Sequence, residues 1–139
     1  MPLKIFVDSD VVISSLLSST GAASFLIHQT ENIKLFVSNL SQKEMEIVTD
    51  RLHIQTDKLQ SLLERKFTII DLRNKARENY FHYVLDKNDV HIVFGAKETQ
   101  VRFLITYNIK DFNSEKIKQD LNILIMTPGQ FLQYLRSLQ

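Results

Sequence analysis

The chain has no cysteine among its 139 residues. Disulfides, thiolate zinc sites and a cysteine nucleophile are therefore excluded. It has no tryptophan, and its three glycines and two prolines leave no room for a long flexible linker. Neither sign of charge predominates: 17 lysines and arginines face 16 acids, for a formal charge of +1. That balance is not the footprint of a protein that coats nucleic acid nonspecifically, although an enzyme can still grip a few phosphates locally. Long apolar runs are also missing. None approaches the ~20 residues of a membrane span, and Asp8 and Asp10 interrupt the stretch a signal peptide would keep uncharged. A cytoplasmic protein with no membrane contact is expected. No repeat or low-complexity tract divides the chain, so a single domain over 1–139 is expected. The four histidines (His28, His53, His82, His91) lack the spacing of a zinc motif.

What is present is an ordinary globular composition, 44% hydrophobic and 24% charged, long enough to bury about two-thirds of the unfolded surface. Short apolar runs alternate with helical patterns. Lys4 to Val7, Ile33 to Val37, Phe67 to Ile70, Arg102 to Thr106 and Asn122 to Met126 read as strands. Continuous apolar runs of this kind suit strands covered on both faces of a parallel sheet. Helical spacing is expected over Asp10 to Leu17, Ala22 to Gln29, from Ser41 onward, Asp57 to Lys66 with Thr56 as cap, Leu72 to Leu85, and from Asp86 onward. Thr127, Pro128 and Gln130 open a last helix with a cap, proline at its first position and glutamine three after the cap. Its Phe131, Leu132, Leu135 and Leu138 are expected in the core. The alternation predicts an α/β fold, three layers with a central, mostly parallel sheet.

Acids stand at revealing places in that pattern. Asp8 follows the first strand, and ligands of open α/β sheets sit beyond the carboxyl ends of strands. The plain alternative is that Asp8 or Asp10 caps the next helix. Ser41 and Glu44 have capping-box spacing, yet Leu40, Glu44, Ile47 and Val48 share a helical face, so Glu44 interrupts an apolar stripe. Asp89 does the same with Ile92, Val93 and Ala96, while Asp86 is the better cap or neighbour and His91 falls on the surface side. Asn108 and Asp111 lie in a turn beyond a strand, where Asp111 alone reads as an Asx turn. All point to one end of the sheet. Carboxylates within ~5 Å of one another repel by several kcal/mol in total, and protonation or a hard divalent cation offsets that. With oxygen donors and no cysteine, Mg²⁺ or Mn²⁺ is the natural ion. Water-activating phosphodiester hydrolysis is the leading reaction. Arg73, Lys75 and Arg77, followed by Tyr80 to Tyr83, could bind phosphates and stack bases. The same residues also describe a solvated basic face backed by an aromatic core face.

Ile5 to Val12, Ser38 to Glu44, Asp86 to Asp89, and Leu104 to Asn108 continuing to Asp111-Phe112 resemble, in order, the motifs of the PIN domain. Thr127-Pro128 to Phe131-Leu132 is similar to that family's last strand-to-helix step. The resemblance implies metal-dependent endoribonuclease activity on RNA, and the family includes VapC-like toxins, often homodimeric and held by an antitoxin. Carried over by position, Asp8 and Asp89 would hold the ion, and Glu44 would hold it or orient the attacking water. Thr106 would lie near the site, with Ser9, Asp86 and Asn108 around it. Many members have an acid where this chain has Asn108, and Asp111 is the candidate to replace it as metal ligand and catalytic acid. Two other readings fit the residues. One is a catalytically inactive PIN-like module that binds RNA or a protein. The other is a haloacid-dehalogenase-type phosphatase, suggested by Asp8-Ser9-Asp10-Val11-Val12, which needs a turn after that first motif.

Overall fold

The computed structural model describes residues 2–73 and 77–139. Five strands, β1 (Leu3–Val7), β2 (Ile33–Ser38), β3 (Phe67–Ile70), β4 (Phe103–Ile105) and β5 (Leu124–Met126), form one sheet among the described residues. Their order is β3-β2-β1-β4-β5, and each neighbouring pair is parallel. Successive side chains of a strand point to opposite faces, and both faces here are apolar. Ile5, Val7, Leu35, Val37, Phe103 and Ile105 pack to one side, Phe6, Phe36 and Leu104 to the other. That double burial is why the strands read as unbroken apolar runs.

On the first side lie α1 (Ser9–Leu17), α2 (Ala22–Gln29), α3 (Asn39–Arg51), α4 (Thr56–Lys66) and α7 (Pro128–Ser137). Val11, Val12, Leu26, Met45, Leu59 and Phe131 are their core residues. The second side is covered by α5 (Val90–Glu98) and α6 (Ser114–Leu121), through Ile92, Val93, Ala96 and Ile117. The result is the expected three-layer α/β/α arrangement. No single helix among the described residues is long and apolar enough to cross a membrane.

Several local expectations need correction. The cap of α3 is Ser38, whose hydroxyl accepts the Ser41 N–H at 3.0 Å, so no capping box joins Ser41 to Glu44. The buried stripe of α3 is Ser41, Met45 and Thr49. Glu44 borders it, and Ile47 is 60% exposed. Thr56 is the first residue of α4 rather than its cap, a place taken by Gln55 without a side-chain bond. The helix expected over Leu72 to Leu85 is a 3-10 helix confined to Glu78–Tyr83 among the described residues. α6, flanked by Asn113 as cap and Asn122 in the left-handed conformation, had no counterpart in the sequence reading. The capping box of Thr127 and Gln130 is present as expected, while Leu138 is 60% exposed rather than core.

Candidate active site

The strand order reverses between β1 and β4: successive strands step outward from β1 to one side, then β4 and β5 continue on the other. Such a switch point opens a crevice beyond the strand ends. Asp8 stands there. Its N–H bonds the carbonyl of Ile105 at 2.9 Å, extending the β1–β4 ladder by one residue. Its carboxylate does two things at once. Oδ1 accepts the Ser9 N–H at 2.7 Å as cap of α1, with the Ser9 hydroxyl at 3.4 Å, and Oδ2 accepts the buried Thr106 hydroxyl at 2.9 Å. The capping role and the site role coexist.

Asp10 belongs to the same crevice, which the sequence reading of the site omitted. Its Oδ2 accepts the Tyr107 N–H at 3.0 Å and the Asn108 side-chain amide at 3.1 Å, and lies 3.5 Å from the Thr106 hydroxyl. Its Oδ1 is buried with no aligned hydrogen bond among the described residues. Thr106 in turn accepts the Asn108 N–H at 3.1 Å. The segment after β4 is thus folded around the carboxylates of α1. Asn108, in place of an acid, donates to Asp10 instead of adding another negative charge.

The remaining acids approach from the neighbouring elements. Asp86 caps a short 3-10 turn, Lys87–Asp89, by accepting the Asn88 N–H, and Asp89 stands at the entry to α5 with no capping bond of its own. Asp111 closes a second 3-10 turn, Ile109–Asp111. Glu44 reaches in from α3, its Oε1 2.9 Å from Nε2 of His91. His91 is buried, 8% exposed, and not the surface residue its helical position implied. α5 is covered over its whole stretch from Val90 to Ala96, so no side of it faces water there.

Electrostatics record the crowding. Burial, reinforced by the charges of Asp10 and Glu44, pushes the Asp8 carboxyl up to about 7, against the hydrogen bonds from Thr106 and Ser9. Burial raises Asp10 too, opposed by the Tyr107 bond and aided by the charge of Asp111. Burial, with the charges of Asp8, Asp86, Asp111 and Glu44, lifts Asp89 to about 6. Asp8, Asp10, Glu44, Asp89 and Asp111 therefore share one electrostatic environment. Among the described residues, however, no three side chains stand close enough to hold one ion as placed. Like charges at this density keep apart unless a cation or protons compensate them. In kind the donors fit a hard divalent cation: all are carboxylate oxygens, and among the described residues Asp10 Oδ1 is buried with no aligned hydrogen bond.

The basic residues singled out in the sequence are not gathered at this crevice. Arg73 pairs with Asp71 at 3.8 Å and lines a cleft with Lys4 and Thr99, beside the start of β1 and the end of α5. Arg77 lies over the Phe94 ring at 5.9 Å. Lys75 falls outside the described residues.

In sequence, no curated protein matches the chain. Among solved structures, a similar one is the VapBC2 complex of Rickettsia felis bound to a DNA fragment from its promoter. The two share a TM-score of 0.63 and 16% identity over 88% of this chain and 97% of that one. At that identity the likeness speaks to fold alone, and the fold agrees. The family model described as PIN domain matches residues 4–110, from β1 past β4 and across Asp8, Asp10, Glu44, Asp86 and Asp89. With that match over most of its length, the chain belongs to the PIN-domain family.

Proposed function

We propose that this chain is a divalent-metal-dependent endoribonuclease of the toxin kind. One observation carries the reading: at the β1–β4 switch point Asp8, fixed by Thr106, lies in one electrostatic environment with Asp10, Glu44, Asp89 and Asp111. Membership in the PIN family supplies the nuclease class. Asp8 and Asp89 would hold Mg²⁺ or Mn²⁺, with Asp10 or Asp111 adding the carboxylate that Asn108 lacks. When bound, such an ion screens the phosphodiester charge and makes water more acidic. Glu44, at the rim, would orient the attacking water and take its proton. Thr106 and Ser9 hold the Asp8 oxygens, and Asn108 holds Asp10.

The test is cleavage of a mixed RNA pool, with single- and double-stranded DNA in parallel, by wild type and Asp8→Asn in Mn²⁺. Cleavage of RNA by the wild type alone supports the reading. No cleavage by either leaves the inactive binding module, which the Asn108 departure favours. The phosphatase reading needs a turn after Asp8, whereas α1 begins at Ser9. The resemblance to VapC-like toxins implies an antitoxin, and a similar solved structure is the VapBC2 complex. For this chain we extend that to an antitoxin partner and a homodimer, checked by co-purification with the product of a neighbouring small reading frame and by solution mass.

A further inference from the structure

We propose that His91 is a positioning residue for Glu44, tying it over the carboxyl edge of the sheet from the opposite helical layer. The inference rests on the nuclease reading. Glu44 belongs to α3, packed on one face, and His91 to α5, packed on the other. They meet at 2.9 Å, Nε2 to Oε1. Among the described residues Glu44 Oε1 is buried with no aligned hydrogen bond, and nearly half of the side chain is open to solvent. A glutamate in that situation has several rotamers available, and ordering it loses side-chain entropy. His91 supplies the restraint.

The burial of His91 points the same way. Its Nδ1 is enclosed with no partner among the described residues, and an unpaired buried polar atom is unfavourable. An apolar side chain in its place would carry no such unpaired atom. What an imidazole adds is the contact with Glu44. With Oε1 engaged by His91, Oε2 is the oxygen left free, and the Glu44 charge reaches the carboxyls of both Asp8 and Asp89. Groups that orient the residues of a metal centre typically change affinity or activity by about 10- to 100-fold when removed.

The experiment uses the full chain as wild type, His91→Gln, His91→Leu, Glu44→Gln and the double variant His91→Leu/Glu44→Gln. Gln keeps an N–H donor near the position of Nε2, and Leu removes it at similar volume. Mn²⁺ affinity by calorimetry and single-turnover RNA cleavage are measured on each. We expect His91→Leu to lower the single-turnover rate constant about tenfold with little change in Mn²⁺ affinity, His91→Gln to restore most of the loss, and the double variant to match Glu44→Gln in both affinity and rate. Independent, multiplicative effects of the two positions, or a His91→Leu protein that behaves as wild type, overturn the proposal. A wild type that cleaves RNA while the effects multiply sinks this inference alone. A wild type that neither binds Mn²⁺ nor cleaves sinks the nuclease reading, and the inference with it. Should His91→Leu fail to fold, the ring ¹H–¹⁵N signals of His91 in metal-free wild type and Glu44→Gln decide. A shift is expected, and unchanged signals overturn the contact.

Discussion

Asp8 combines two demands that usually fall on different residues, capping α1 and anchoring a group of acids through Thr106. Asn caps helices about as well as Asp, so Asp8→Asn separates the two. It should abolish metal-dependent RNA cleavage, by a factor above about 100, while the helix cap survives. Residual cleavage within a few-fold of wild type would remove Asp8 from the chemistry. Asp8 was legible in the sequence because a strand ends on it. Asp10 was not, because a cap accounted for it locally, and its real partners, Tyr107 and Asn108, lie 97 and 98 residues downstream. His91 was misplaced for a different reason. Helical periodicity identifies an exposed side only when the helix has one, and α5 is enclosed all round from Val90 to Ala96.

At the scale of elements, the positions of α3 and α5 decide whether Glu44 and Asp89 can reach the crevice. Ser38 closes β2 and starts α3, fully buried, with its hydroxyl on the Ser41 N–H. Ser38→Ala leaves that N–H buried and unpaired, which costs about 1–2 kcal/mol. A urea unfolding midpoint equal to wild type would contradict it. α5 lies so close to the sheet that a Cβ on Gly95 would stand 2.7 Å from Cζ of Phe6. Phe6 is itself fully buried and has nowhere to retreat. Gly95→Ala therefore overpacks the layer by about 1–3 kcal/mol, whereas on an exposed helix the same change would stabilise by helix propensity. A stabilised variant would show that α5 sits further from β1. Strands and most helix starts were readable because double burial and caps leave local traces. α6 was overlooked although Asn113 and Asn122 mark its ends: Ile117 is its one buried residue, and its other side chains are mostly charged or polar. Glu78–Tyr83 defeated periodicity in the opposite way, since Tyr80 and Tyr83 keep helical spacing within a 3-10 helix.

For the molecule as a whole, a crevice of partly buried carboxylates couples folding to both protons and cations. The Asp8 carboxyl titrates at about 7 and Asp89 at about 6 in the folded chain, against about 4 for an unfolded aspartate. Between those values the folded state holds more protons than the unfolded one, so stability falls as pH rises. The contribution of both groups is fully present below about pH 4 and lost by pH 8. His28, lowered by burial and by Lys66 and Arg65, works in the opposite sense as pH rises past its folded value. The comparison that isolates the crevice is therefore wild type against Asp8→Asn. In chelator, the variant should melt several degrees above wild type at pH 8, with the gap narrowing toward pH 5 as the wild-type carboxyl takes up its proton. Mn²⁺ should reverse the ranking, because an ion bound by the folded state alone at 100 times its dissociation constant adds about 2.7 kcal/mol, and the variant binds it more weakly. Equal melting temperatures for the two proteins across pH 5–8 in chelator would mean that the Asp8 charge is not confined. An Mn²⁺ effect of the same size in both would mean that the ion, if it binds, binds elsewhere.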